Sequence, residues 1–403
     1  MEIRYEAADD VRQVIESMGR TEDIRFSPGN RRLAIAAFNQ NRIVVLDVDI
    51  VVAGNAKEVA LTGVVEISSS CLNYPHGLDF IDDKTLVTAS RNGDVSIFKL
   101  PSHGIAGQPH DLLPIQVLHA GETSLLKSPG SVAVVSKDQA LCELLICDNA
   151  GHSVTRHLVD RSAGCSVTSS EVFLKRWLNL PDGICISRDQ QWIAVSNHNT
   201  HSVLLYRNSP SLNDHAGPDG VLRCAYYPHG LRFSADGRHI FVADAGSPYV
   251  HIYASDGQGW RGARSPVRSF KVMDDAVFLR GRHNPQEGGP KGIDIDAGMN
   301  VLVATSEHQP LVLFDLPAIL ENMPPASQVL DVEYELGILA HADRLRMRID
   351  QAEARAAKAE AKAAKVKAKA ARAKAKAGFV INGRPWRITA PLSRIYSALK
   401  RAN

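Results

Sequence analysis

Along most of the chain, short runs of alternating apolar and polar residues are separated by turns rich in Asn, Asp and Gly. The segment "HGLRFSADGRHIFVADAGSPYVHIY" shows the unit: an alternating run, the polar turn "SADG", a more apolar β-branched run, a second turn and a third run. Runs of this length bounded by turn residues predict three antiparallel strands joined by tight hairpins. The unit recurs in "EDIRFSPGNRRLAIAAFNQNRIVVLD", "HGLDFIDDKTLVTASRNGDVSIF", "GSVAVVSKDQALCELLICDNAGHSVTRH", "DGICISRDQQWIAVSNHNTHSVLLY" and "KGIDIDAGMNVLVATSEHQPLVLF". After a variable connection a fourth, outer strand is predicted, as in "GVVEISS", "PIQVLHA", "VLRCAY" and "PVRSFKV".

Aligned on their first strands, the units start at Glu22, His76, Gly130, Asp182, His229 and Lys291, which are 54, 54, 52, 47 and 62 residues apart. Six near-equal units of four strands predict an all-β, six-bladed β-propeller, because radial repetition leaves only short, protected sheet edges. Two stacked sandwiches would not need six such units. Two segments compete to close the ring: "VRQVIES" near the N-terminus and "QVLDVEY" at Gln328–Tyr334. The propeller is assigned to residues 1–334, an Ala/Lys-rich helix or coiled coil to 335–377, and a basic amphipathic segment to 378–403.

The net charge of +2 hides a division, since Arg344 to Asn403 holds 17 Lys/Arg against 3 Asp/Glu. An acidic body with a basic arm points to an anionic partner for the arm. The start "MEIRYEAADD" lacks an apolar signal core, and no apolar run is long enough to span a bilayer, so a cytoplasmic protein is expected. The six cysteines, without C-x-x-C spacing, are expected to be buried free thiols.

In a propeller the innermost strand of each blade runs along the central channel, and the turn after the second strand returns to the same rim. Glu22, His76, Asp182, His229 and Lys291 are therefore expected on one face with Asn39, Asp148, Asn197, His198, His201, Asp244 and Glu307. The pentapeptide "YPHGL" occurs at Tyr74–Leu78 and Tyr227–Leu231, three blades apart, which sets His76 opposite His229. Two carboxylates and two imidazoles suit zinc or another transition metal better than calcium. The same residues also serve as polar lining of a wet channel. In "NHNTH", the spacing of His198 and His201 reads first as a turn that tolerates unusual dihedrals, and Asp244 as a turn residue bonding its own backbone. The longest inter-blade insertion, "MDDAVFLRGRHNPQEGGP", opens on the same rim and offers Arg280, Arg282 and His283 as contacts. No G-x-S-x-G, P-loop or post-strand G-x-G-x-x-G is present.

The pattern P-x-G-[IL]-x-[IF]-S-x-D-x-x-x-[IV]-x-V-A, over roughly residues 12–334, resembles NHL and YVTN-type repeats, and the six-bladed ring resembles gluconolactonase and strictosidine-synthase-like propellers. The gluconolactonase-like resemblance implies a metal, calcium or zinc, at the residue before the repeat glycine, a place that Asp182 occupies here and with which Glu22 aligns. It implies a metal-dependent hydrolase or lactonase using Glu22, Asp182, His76 and His229.

The tail is different in kind. Ala, Lys, Arg and Glu run without Pro or Gly from about Ile338 to Ala377, predicting a helix of about 60 Å with a narrow Ala-rich heptad seam that suits self-association. Beyond Gly378, Ile388, Leu392, Ile395, Tyr396 and Leu399 form one apolar stripe with Trp386 before it and Arg387 and Arg394 beside it. That order suits an anionic membrane surface, or equally a groove on a partner protein; nucleic acid ranks lower. "PWRITAPLSRIYSALKR" resembles the SWR-[LI]-T-A-P-L-R segment that follows coiled coils in bacterial glycosyltransferases and methyltransferases building surface polysaccharides such as O-antigen. The resemblance implies attachment to a membrane-proximal assembly, peripheral to the inner membrane. The first functional expectation is therefore a non-catalytic propeller scaffold in polysaccharide biosynthesis, with the metal-dependent hydrolase as the alternative.

Overall fold

The computed structural model describes residues 2–54, 56–257, 259–282, 286–321, 323, 355–369 and 371. The chain divides into two compact units, Met1–Ala340 and His341–Asn403. In the second, 355–369 is α-helical with exposed side chains; the rest of the expected coiled coil and the whole segment from Trp386 to Leu399 lie outside the described residues.

The first unit is a six-bladed β-propeller of antiparallel sheets. Blade 1 comprises Thr21–Phe26, Arg32–Ala37, Arg42–Ala53 and Ala56–Ser68; blade 2, Pro75–Asp82, Thr85–Ser90, Val95–Lys99 and Gln116–Leu118. Blade 3 follows with Pro129–Ser136, Leu141–Asp148, Ser153–Asp160 and Ser166–Leu174, and blade 4 with Pro181–Ile186, Trp192–Asn197, Ser202–Arg207 and Gly220–Leu222. Blade 5 is Pro228–Phe233, His239–Asp244, Tyr249–Ala254 and Arg268–Lys271; blade 6 is Ile293–Ile295, Val301–Ala304 and Val312–Asp315. Extra parallel strands extend blade 1 and blade 4 at their outer edges.

Ring closure corrects the expectation. The outer strand of blade 6 is Glu2–Ile3, paired antiparallel with Val312–Asp315, while "VRQVIES" forms most of the helix Asp9–Ser17. Its buried residues Val11, Val14 and Ile15, with the C-cap Met18, recur at helical, not strand, spacing, and Asp9 and Asp10 sit favourably in its first turn. "QVLDVEY" lies outside the described residues.

The core lies between blades, not inside one. Alternate residues of the second strand face opposite neighbours: Leu33 and Ile35 pack toward blade 6 with Val301 and Val303, whereas Ala34 and Ala36 pack toward blade 2 with Leu78 and Leu86. Burial on both faces explains why the second runs are continuously apolar. Near the channel the blades approach to backbone contact. A Cβ on Gly183 would lie 2.1 Å from the His229 carbonyl oxygen, and one on Gly77 would lie 2.4 Å from Ser131 Cα. The repeat glycines thus let the first strands converge and keep the channel narrow. Of the six cysteines, Cys142, Cys147, Cys165 and Cys185 are buried as expected, but Cys71 is half-buried and Cys224 exposed.

Candidate functional site

Each first strand begins with a residue paired to the end of the second strand: Thr21 with Ala37, Pro75 with Ser90, Pro129 with Asp148, Pro181 with Asn197, Pro228 with Asp244. Pairing then lapses before it resumes at Ile24, Gly77, Val132, Ile184 and Leu231. The ring residue of each blade, Glu22, His76, Gly130, Asp182 or His229, falls within this irregularity, which frees its side chain from the regular alternation and aims it into the channel. A second ring is built by the residue after each second strand: Phe38, Arg91, Asn149, His198, Ala245 and, by the same count from Ile293 paired with Ala304, Glu307.

The two rings converge. His76 and His229 stack with centroids 5.2 Å apart, and His198 lies 5.5 Å from His229. His229 Nε2 is 3.3 Å from Glu22 Oε2 and 3.1 Å from Asp182 Oδ2. His76 Nε2 lies 3.5 Å from Glu22 Oε2 and His198 Nε2 lies 3.5 Å from Asp182 Oδ2. Glu22, His76 and His229 form one group whose ligand atoms lie within 4.8 Å of one another, and Asp182, His198 and His229 form another. Glu22, His76, Asp182 and His229 help line a cavity of about 10 Å³, near the size of a single water or ion. Above it, on the rim side, opens a bowl of about 340 Å³ lined by Arg20, Phe38, Arg91, His198, Tyr227 and Glu287, among others.

The protonation pattern favours a cation. Burial opposes ionisation of Glu22, but Lys291, the facing imidazoles and Arg20 outweigh it and hold the carboxyl well below its usual range. Asp182 is likewise held low against burial by His229, His198, His76 and Arg91. Burial, reinforced by Arg91, keeps His76 well below the usual imidazole value, and burial pushes His198 down to about 4. The two carboxylates are therefore ionised at neutral pH, while His76 and His198 are neutral, which are the states in which these groups bind metals.

Three buried atoms in the cluster, Glu22 Oε2, Asp182 Oδ2 and His198 Nε2, carry no hydrogen bond. Glu22 Oε2 keeps an ion-pair contact with Lys291 Nζ at 3.2 Å and Asp182 Oδ2 one with His229 Nε2 at 3.1 Å, and a divalent cation would give all three atoms a direct ligand bond. The donor set of imidazoles and carboxylates fits a transition metal and departs from the all-oxygen shell of calcium.

Other expected residues have other partners. Lys291 is buried and bonded to Glu22 at 3.2 Å and to Glu287 at 2.6 Å, so its charge is spent on carboxylates. Asn197 holds the Asn179 amide at 2.6 Å, Asp148 the Lys127 and Ser128 amides, and Asp244 the Tyr226, Tyr227 and Gly246 amides. All three pin the connection that feeds their own blade, and Asn39 is exposed. His201 takes a left-handed φ of 50° and stacks on Tyr226, away from the cluster. Arg280 and Arg282 are exposed, near the end of a short helix Asp275–Gly281, and His283 lies outside the described residues. The insertion instead delivers Glu287, which also meets Arg20 at 3.2 Å. Arg20, Arg91, Asn149, Tyr227 and Glu287 escaped the sequence reading; only the position of Arg91 and Asn149, each one residue past a second strand, carried a usable signal.

A six-bladed β-propeller with a titratable channel cluster is thus the class that fold and site define. The sequence matches no family profile and no curated protein. Among solved structures, a functionally unknown protein from Desulfotomaculum acetoxidans is similar, with 14% identity and a TM-score of 0.48, over 74% of this chain and 83% of that one. A "putative 6-phosphogluconolactonase" from Bacteroides fragilis is similar at 12% identity and a TM-score of 0.47, over 73% of this chain and 79% of that one. Neither likeness assigns a role to any residue here.

Proposed function

We propose that the propeller is a metal-dependent enzyme, a hydrolase of the lactonase type, acting on a small polar molecule in the rim bowl. The observation that carries this reading is the convergence of five donor side chains in two groups of three that share His229, four of them lining an ion-sized cavity and His198 lining the bowl beside it. Glu22, Asp182, His76, His198 and His229 would hold the metal. A divalent ion there would supply Lewis acidity to polarise a ligand carbonyl. Its volume of about 340 Å³ suits a sugar-sized ligand. Tyr227, whose hydroxyl burial pushes up to about 12, stays protonated and offers a donor at the wall. Lys291 and Glu287 position Glu22 through charge-assisted bonds.

This reading reverses the order expected from sequence, in which a non-catalytic scaffold came first. The scaffold and membrane proposals rest on the tail, above all on Trp386–Arg394, and are compatible with an enzyme body. Flotation of the full chain with anionic vesicles, against a chain ending at Gly378, tests them; equal behaviour rejects the membrane contact. The enzyme proposal is tested by following proton release from aldonolactones with zinc-, manganese- and calcium-loaded protein. Turnover that depends on metal and is lost in Asp182→Asn supports it. Metal-loaded protein inert toward lactones and simple esters would reject the hydrolase.

A further inference from the structure

One side chain in the cluster sits on two of the residues that a metal would need, taking Asp182 Oδ1 beside the unbonded Oδ2 and the ring nitrogen of His76. Arg91 Nη2 donates to Asp182 Oδ1 at 2.8 Å and contacts His76 Nε2. It reaches from the turn of blade 2 to a carboxylate of blade 4 because blade 3 places Gly130 at its ring position. A Cβ there would lie 3.4 Å from Arg91 Nη1 and 3.0 Å from Asn149 Oδ1, so any side chain would crowd the crossing. Arg91 lines the bowl with His76, His198 and His229, but its side chain is 23% exposed, whereas Asp182 and His76 are buried.

A guanidinium on Asp182 Oδ1 and His76 Nε2 and a divalent ion on the neighbouring Oδ2 and the same imidazole would repel each other. We infer that Arg91 is a latch: it holds Asp182 and His76 until the metal takes them, then turns its guanidinium into the bowl to bind an oxyanion of the ligand. The step is an exchange of non-covalent partners. It names the ligand class as a small molecule bearing a carboxylate or phosphate, which a guanidinium recognises through paired N–H donors. Arg20, on the opposite wall, is held by Glu22 and Glu287 over the Phe38 ring and is not free to do the same. Metal and oxyanion should then bind with positive coupling. The inference rests on the metal reading above and deepens it.

The test is a zinc titration of the full chain by calorimetry, in chloride and in sulfate of equal ionic strength, for the native protein, Arg91→Gln and Arg91→Lys. In chloride, Arg91→Gln should bind zinc about tenfold tighter than the native protein, because the guanidinium on Asp182 and His76 no longer competes. Arg91→Lys, a point charge unable to span both acceptors, should gain less, about threefold. Sulfate should tighten zinc binding several-fold in the native protein and leave Arg91→Gln unchanged. Unchanged or weaker zinc affinity in Arg91→Gln, or a sulfate effect that survives in it, overturns the latch while the metal reading stands. If Arg91→Gln does not fold, absence of any gain in Arg91→Lys overturns it as well. Failure of the native protein to bind zinc at all overturns the metal reading, and the latch with it.

Discussion

The channel carries two adjoining groups of buried charge, most of the lower group three residues further along the first strands and Asp23 next to Glu22, and they behave oppositely. The rim tier is Glu22, Asp182 and the three histidines; the lower tier is Asp23, Asp79 and Asp294 with Arg25 and Arg232. In the lower tier the charges pair with each other and with backbone amides: Arg232 meets Asp294 at 2.8 Å, Arg25 meets Asp23 at 3.2 Å, and Asp294 also accepts from the Phe26 amide. Burial still pushes Asp23, Asp79 and Asp294 up to about 6. In the rim tier the carboxylates are held low, yet Glu22 Oε2 and Asp182 Oδ2 lack hydrogen bonds. A buried cluster of charge is therefore not by itself a site. The rim tier differs in that ionised carboxylates converge with the neutral imidazoles of His76 and His198, and Glu22 Oε2 and Asp182 Oδ2 keep ion-pair contacts at 3.1–3.3 Å without completing a hydrogen bond.

The contrast breaks most sharply under substitution. His229→Ala, which removes a donor from both groups, should weaken zinc binding roughly 100-fold or more. Arg232→Met in the lower tier should leave zinc affinity within about twofold but cost roughly 3 kcal/mol of stability, because Asp294 and Asp23 lose a buried counter-ion. Zinc titration paired with urea unfolding separates the two outcomes. Equal effects of both variants on zinc would erase the distinction.

The tiers should also separate by pH. Asp294 is raised on folding from its usual 3.8 to about 6, so its share of stability is present below 3.8 and lost as pH rises through about 6. Asp182 is depressed, so its share is present above 3.8 and lost as pH falls through its folded value. Relative to the native protein, the Tm of Asp294→Asn should therefore improve from about pH 4 to about pH 7, while that of Asp182→Asn should worsen as pH rises to about 4 and then stay level. Melting curves across that range check both signs.

The smallest effect concerns two neighbours in one turn. His198→Ala should lower zinc affinity about tenfold, whereas His201→Ala should leave it within about twofold and change stability by under about 1 kcal/mol. A zinc effect of His201→Ala equal to that of His198→Ala would show that the turn as a whole, and not the His198 lone pair, matters.

The blades and the first ring were legible because the alternation of "HGLRF", "DGICI" and their relatives repeats at near-constant spacing, which fixes both the channel strand and its first residue. The second ring was legible only to within one residue. Its strands are apolar on both faces, so their ends carry no alternation, and Asp148 and Asp244 were named where Asn149 and Ala245 stand. His198 was found but read as a turn residue. Arg91, Arg20 and Glu287 were hidden because long side chains cross from blade to blade, a reach no linear spacing records. The closing strand was missed because Glu2–Ile3 is too short for a pattern, while Val11, Val14 and Ile15 resemble a strand until counted at helical spacing.

The central claim is that the rim tier is a metal site. Metal analysis of the purified full chain after zinc loading and exhaustive dialysis tests it most directly. About one tightly held zinc is expected in the native protein and in Asp294→Asn, and none in His229→Ala. Native protein that emerges free of zinc, or a His229→Ala variant that keeps it, would contradict the account.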